Sequence, residues 1–233
     1  KVLFFFIALG TLLPMKKVLF FFIALGTLLP MMHQSSLGTL LVVMGPQVNP
    51  LWQTPIVPLL YLLSAITIGY GVVLFESCVA SSAYRREIEV HLLEPMAKIM
   101  LGMLAIFIAL RAGDLIFRGA LGHALAPSLE AFFFWLEIGC FLLPFLLVGS
   151  TDARRHPARL FLAGCSIMLG GILMRINGFL IGYDTGLGVD HGWNYFPSIA
   201  EMLVTIGMFA IEVLGYIIIT RRFPVLPREA AAH

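Results

Sequence analysis

Between Lys17 and Glu76 the chain carries no Asp, Glu, Lys or Arg. That absence restricts the fold more than any other feature. A helix needs about 20 apolar residues to cross a hydrocarbon core ~30 Å thick. Within hydrocarbon only helices or closed barrels satisfy every backbone N–H and C=O. Runs of helical length recur at roughly 17–44, 57–80, 96–119, 128–149, 159–182 and 197–220. The expected fold class is therefore all-α, a polytopic transmembrane helix bundle with about six spans. Composition agrees, with 60% hydrophobic and 12% charged residues, whereas a soluble domain is about half apolar and a quarter charged. The net charge of +2 resides in the loops, which gives no basic face for nucleic acid. There is no P-loop, dinucleotide fingerprint or nucleophile elbow. Cys78, Cys140 and Cys165 stand far apart, without the spacing of an iron–sulfur or structural zinc site, and read as small apolar packing residues.

Lys1 to Met15 reads KVLFFFIALGTLLPM, and Lys17 to Met31 repeats it without change. Evolved solenoid and transporter repeats diverge and recur, so this duplication is expected to be an artefact of assembly. Lys16-Lys17 before an apolar run mimics a secretory signal, but no A-x-A-like site follows and the apolar pattern continues to Met44. The expected organisation is a duplicated segment at 1–16, a membrane domain at 17–222 and a cytoplasmic tail at 223–233. Beginning inside an apolar run without an initiator Met, the chain reads as a piece of a longer protein.

Orientation follows from the loops. Lys16 and Lys17 precede the first full span. Arg85 and Arg86 lie in loop 81–95, Arg154 and Arg155 in loop 150–158, and Arg221, Arg222 and Arg228 in the tail. The alternate loops 45–56, 120–127 and 183–196 contain no Lys or Arg. Positive residues favour the cytoplasmic side, so both ends are expected inside. Trp193 and Tyr195 then suit the outer interface. Pro30 is expected to kink the first span, with Ser35 and Ser36 serving the carbonyls it frees.

Polar residues inside the spans fall at one depth. His33 lies 16 residues in from Lys17, Arg111 lies 15 in from Met96, and Arg175 lies 16 in from Arg159. At ~1.5 Å per residue these groups sit about 22–25 Å from the inner end, in the outer third of the bilayer. Glu201, Glu130 and Glu137 enter from the outer side. Arg111, Asp114 and Arg118, spaced i, i+3, i+7, share one helix face. Asp114 is expected to pair with an arginine, and Glu137 and Glu201 are the remaining candidate partners. Their proton-accepting chemistry makes His33, Asp114, Glu137 and Glu201 candidates for proton transfer. His33, Gln34, Ser35, Arg111, Arg118, Arg175 and Asn177 are candidates for a polar pocket suited to a headgroup such as a quinone carbonyl. The bland alternative is a salt-bridge ladder that glues helices, with His33 as a packing residue. His91, His123, His156 and His191 fall in loops or at helix ends, so no pair is placed like bis-His haem ligands. No metal site is expected.

The run His33-Gln-Ser-Ser-Leu-Gly38, then Asn49-Pro-Leu-Trp52, resembles the signature of NrfD-type (polysulfide reductase-like) membrane subunits, in particular the HybB-like subunits of nickel–iron hydrogenases. Arg111…Asp114…Arg118-Gly119, Arg175-Ile-Asn177 and Tyr195-Phe-Pro-Ser198…Glu201 are similar to later helices of that group. Asn49 stands where several relatives are expected to carry His. The likeness covers about 17–228 and would match the C-terminal portion of a protein of about ten spans.

The resemblance implies a membrane subunit of a respiratory oxidoreductase in a bacterial or archaeal cytoplasmic membrane. Such a subunit anchors an iron–sulfur protein and a hydrogenase-like catalytic subunit on the outer face. It exchanges electrons with membrane quinone, menaquinone or ubiquinone, as an exchangeable substrate, with proton transfer in some relatives. It also implies no haem or iron–sulfur cluster in this chain. Three rival readings are a secondary transporter, whose charges belong nearer the midplane, a purely structural anchor, and a b-type cytochrome, which a featureless Soret region in the purified complex would exclude.

Overall fold

The computed structural model describes residues 16–84, 87–183 and 197–222. The duplicated segment 1–15, the tail 223–233, Arg85, Arg86, Trp193, Tyr195 and the rest of 184–196 lie outside the described residues. The elements in chain order are α1 (Lys16–Met44), a 3₁₀ turn (Gly45–Gln47), α2 (Val57–Tyr84), α3 (Val90–Phe117) and α4 (Leu121–Leu125). Then come α5 (Leu129–Val148), α6 (Thr151–Arg154), α7 (Pro157–Ile176), a π turn (Asn177–Ile181) and α8 (Ile199–Arg222). Among the described residues there is no strand, only an isolated bridge between Val48 and Tyr183. Six helices, α1, α2, α3, α5, α7 and α8, are long and apolar enough to cross a membrane. The protein is an all-α, multi-pass membrane protein.

Two compact units are present. One comprises Lys1–Pro30 with Asn194–His233, and the other Met31–Trp193. The boundary falls at Pro30, inside α1, which continues as helix through the proline. Pro30 lacks an N–H and so deprives the carbonyl of Gly26 of its donor. Ser35 and Ser36 do not serve it, because a hydroxyl on a helix reaches back only three or four residues. The hydroxyl used near this turn is that of Thr27, which donates to Ile23 O at 2.8 Å and Ala24 O at 3.0 Å. In the first unit α8 begins with a capping box. The Glu201 carboxylate accepts from Ser198 N at 2.7 Å, and Ser198 Oγ accepts from Glu201 N at 3.3 Å.

In the second unit α7 is the central element, packed along both α2 and α5, while α3 packs on α2. Between α2 and α7 the backbones come close. A Cβ added at Gly164 would lie 2.7 Å from Gly71 O. Small residues permit this approach, and in lipid the gain is dispersion and packing rather than hydrophobic expulsion. Leu60, Leu74, Met100, Leu104, Leu160 and Ile167 fill the remaining interior, and the Phe107 and Phe141 rings meet at 4.9 Å. Gly164→Ala is expected to force the helices apart and lower stability by about 1–3 kcal/mol. Thermal unfolding in detergent tests it, with Gly102→Ala as control, since nothing lies within 4 Å of a Cβ there. Equal midpoints for the two variants would remove the close-packing account.

The helix ends matter because they carry the site. α3 stops in a Schellman motif: Ala120 N donates to Leu115 O at 3.0 Å and Gly119 N to Ile116 O at 3.1 Å. Gly119 supplies the left-handed residue, at φ 67°. Ser128 caps α5, its hydroxyl accepting from Ala131 N at 3.2 Å. At its far end α7 widens into a π turn, a feature frequent at functional sites.

Candidate functional site

The last two turns of α3 and its C-cap carry Arg111, Asp114 and Arg118 on one face, and the two arginines take different carboxylates. Arg118, at the helix end, forks onto the Asp114 carboxylate, with Nη2 and Nε at 2.7 and 2.9 Å from Oδ2. Its Nη1 also donates to Pro50 O at 2.9 Å and to Gln53 O. The other Asp114 oxygen accepts from the Thr54 hydroxyl at 2.7 Å. Arg118 is thus the clamp that holds loop 48–56 over the end of α3. Beside it opens a cavity of about 340 Å³ lined by Val42, Gln53, Thr54, Pro55 and Arg118.

One turn deeper, Arg111 is 1% exposed and Glu137 of α5 is fully buried. Their closest atoms, Arg111 Nη2 and Glu137 Oε1, are 3.8 Å apart, an ion pair without a hydrogen bond. Glu137 Oε2 accepts from the Trp52 indole at 3.0 Å and from Asn177 Nδ2 at 2.9 Å. Asn177 Nδ2 also donates to Phe133 O at 3.1 Å. One carboxylate oxygen therefore joins loop 48–56, α5 and the π turn. The Arg111 guanidinium lies 5.5 Å from the centre of the Phe134 ring, an attraction that supplements the ion pair. Among the described residues no Arg111 nitrogen has a hydrogen-bond acceptor, and Glu137 Oε1 and Asn177 Oδ1 have no donor. Native proteins leave few buried polar atoms unpaired, and their collection around one charged pair makes Arg111, Glu137 and Asn177 a candidate site.

A third station lies on α7. Arg175 donates twice to Gln34 Oε1, at 3.2 and 2.6 Å, and once to Gly171 O at 2.8 Å. Its guanidinium sits 5.4 Å from the centre of the Tyr61 ring. Arg175 therefore has a neutral oxygen where Arg111 and Arg118 have carboxylates. Two residues on, Asn177 bonds toward α5, so the end of α7 divides its polar groups between α1 and α5.

The candidate residues thus separate. Arg111, Glu137 and Asn177 meet in the interior, Asp114 and Arg118 at the loop, and Gln34 and Arg175 beside Tyr61. His33 is exposed and makes no hydrogen bond among the described residues, and Ser35 is half-buried with its hydroxyl unbonded there. Glu201 belongs to the other unit, in its capping box. Sequence reasoning passed over Trp52 as a site residue, and Thr54 and Tyr61 altogether. A Trp in a short charge-free loop reads as an interfacial anchor, yet Trp52 is 2% exposed. The available signal was the loop's lack of charge, which suits a segment folded back onto the bundle.

Helices long and apolar enough to cross a membrane, with a buried Arg–Glu pair beneath a charge-free loop, define a multi-pass membrane protein with an ionisable interior site. The polysulphide reductase, NrfD family model matches residues 14–185, and the chain belongs to that family. It is 38% identical over 230 residues to the probable Ni/Fe-hydrogenase 2 b-type cytochrome subunit of Escherichia coli, covering 97% of this chain and 54% of that protein. It is 25% identical over 202 residues to a protein of Nitratidesulfovibrio vulgaris whose name specifies no activity, covering 84% of this chain and 51% of that one. The chain thus spans about half the length of the curated relatives it matches. No solved structure matches it.

The first relative's name corrects one expectation. It is called a b-type cytochrome subunit, which implies haem, so the expected lack of haem in such a chain does not stand. The described residues do not form a recognisable haem site. His33, His91, His123 and His156 are exposed. The buried cluster is Arg, Glu, Asn and Trp, which is not an axial-ligand set. Among the described residues no three His, Cys, Asp or Glu converge as metal ligands.

Proposed function

We propose that this chain is part of a membrane subunit of a hydrogenase-type respiratory complex that passes electrons to or from membrane quinone. The observation that carries this reading is the 340 Å³ cavity at the Thr54–Asp114–Arg118 network, with the buried Arg111–Glu137 pair on the same face of α3. Small-molecule sites start near 300 Å³, so a single quinone ring is of the right size. Arg118, whose Nη2 keeps one N–H beyond its bond to Asp114, places a donor at the cavity wall for a quinone oxygen, and Thr54 fixes the carboxylate beside it.

Reduction of a quinone to a quinol takes two electrons and two protons. Electrons would come from the iron–sulfur partner, anchored with the catalytic subunit on the outer face of a bacterial or archaeal cytoplasmic membrane. Protons would come through Asp114 and Glu137, with Arg111 stabilising the carboxylate left behind by each transfer. Family membership and the relative's hydrogenase name support the partner class. The residue roles rest on the geometry alone. The distribution of lysine and arginine in the sequence supports a cytoplasmic side for both ends of the membrane domain.

Thr54→Val keeps the side-chain volume and removes the donor to Asp114. It is expected to lower quinone reduction by the assembled complex about tenfold, the loss of one hydrogen bond to a charged group. Dye reduction by the partner subunits should be unchanged. Equal quinone rates in variant and parent would transfer the case to a structural anchor. That second reading has its own support, because Glu137 Oε2 ties loop, α5 and π turn together.

A further inference from the structure

At the opposite end of α3 lies a second cavity, of about 240 Å³, lined by Glu94, Pro95, Lys98, Thr151 and Arg154. It sits between the first turns of α3 and the short helix α6, which connects α5 to α7. From Glu94 to Arg111 is 17 residues of helix, about 25 Å, so this cavity is separate from the site above.

Arg154 is built into its wall. It is only 9% exposed, and its Nη1 donates to Val148 O at 3.1 Å and Gly149 O at 2.8 Å, capping α5. Nη2 donates to Thr151 Oγ1 at 3.1 Å, while the buried Nε has no acceptor. Glu94, which itself lines the cavity, pairs with Arg155 at 3.8 Å. Lys98 is exposed and has no carboxylate partner among the described residues. Asp152, also exposed, is not among the lining residues. The cavity therefore holds Lys98 and Arg154 against a carboxylate that Arg155 already balances.

Above Lys98 the same face of α3 carries Gly102, Ala105 and Ala109, all exposed, at i+4, i+7 and i+11. A Cβ at Gly102 would meet nothing within 4 Å. Small side chains in that order leave a shallow strip rising from the cavity into the apolar layer. We propose that the cavity takes the phosphate of an anionic phospholipid, with one acyl chain lying along the strip. Lys98 and Arg154 supply the charge and Thr151 a hydroxyl. Basic pockets between helices at a membrane surface are suited to such headgroups. The strip favours a lipid over a free phosphate, which would use the cavity alone.

The test uses the full chain in neutral detergent, titrated with phosphatidylglycerol, phosphatidylcholine or inorganic phosphate, with retained lipid counted by native mass spectrometry. Phosphatidylglycerol should be retained over phosphatidylcholine. Lys98→Gln should weaken retention about fivefold, the worth of one basic residue near a membrane surface. Gly102→Leu, which fills the strip, should weaken it as well without changing phosphate binding. Equal retention of the two lipids, or no response to Lys98→Gln, overturns the site. Displacement by inorganic phosphate at equal concentration overturns the lipid as its occupant. None of these outcomes bears on quinone reduction.

Discussion

Glu137→Leu is expected to leave the protein poorly folded, with the largest loss of stability of any single change in the interior. The substitution removes the counter-ion of Arg111, which is 1% exposed and has no hydrogen-bond acceptor among the described residues. It also strips the acceptor from the Trp52 indole and from Asn177 Nδ2. Breaking one side of a buried pair costs about 3–5 kcal/mol, a large part of the 5–15 kcal/mol that holds a domain together. Arg111→Met with Glu137→Leu should recover part of that loss. The stranded charge is gone, though two donors still lack their acceptor. Glu137→Gln keeps an oxygen for Trp52 and Asn177 but leaves Arg111 uncompensated, so it should fall between the single and double variants. Thermal unfolding of the four proteins in detergent gives the order. A Glu137→Leu midpoint equal to the parent's would mean that the pair holds nothing together. The double variant also separates two roles. Where it assembles, retained quinone reduction marks the pair as helix glue, and lost reduction with intact dye activity marks it as part of the proton route.

The membrane fold was legible because its cause is local. A helix must be apolar over about 20 residues to cross, and six such runs stand in the sequence as six helices in the structure. The shared face of Arg111, Asp114 and Arg118 was legible for the same reason, since i, i+3, i+7 spacing depends only on helix geometry. Which carboxylate meets which arginine was not, because it depends on helix rotation and on a loop. Arg118 takes Asp114 within its own helix, and Arg111 reaches across to α5. His33 and Gln34 show how sharp that dependence is. Neighbours on a helix point about 100° apart, and the structure turns Gln34 to Arg175 while His33 is exposed. The π turn was invisible as well. It changes the bonding from i+4 to i+5 within a segment that is apolar nearly all round, where no periodicity betrays the change, yet it begins at Asn177, the residue that bonds to Glu137. Trp52 and Thr54 were hidden because a loop's fold depends on where its carbonyls find donors, here on Arg118.

Arg118→Ala is expected to release that loop and, with it, the cavity. Arg118 alone supplies donors to Pro50 O, Gln53 O and both contacts on Asp114 Oδ2. Hydrogen bonds to charged groups are worth about 1.5–3 kcal/mol each, but removing a partly exposed partner lets water replace some of them. A net loss of about 2–4 kcal/mol follows, concentrated in loop 48–56 rather than spread over the bundle. Hydrogen exchange should locate it: faster exchange at Trp52, Gln53 and Ile56, with little change in α2 and α7. Arg118→Lys should recover little, because an ammonium cannot span the carboxylate and two carbonyls as the planar fork does. The consequence for function distinguishes this residue from a mere helix cap. With the loop released, Trp52 loses its fixed approach to Glu137 and Thr54 its approach to Asp114. Quinone reduction should then fall at least about tenfold, and Asp114→Asn, which weakens the same clamp from the other side, should produce the same exchange pattern in a milder form. Unchanged exchange in loop 48–56 would show that Gly182, through its bond to Asn49, and Trp52 hold the loop without Arg118, and the cavity would then owe its shape to those contacts instead.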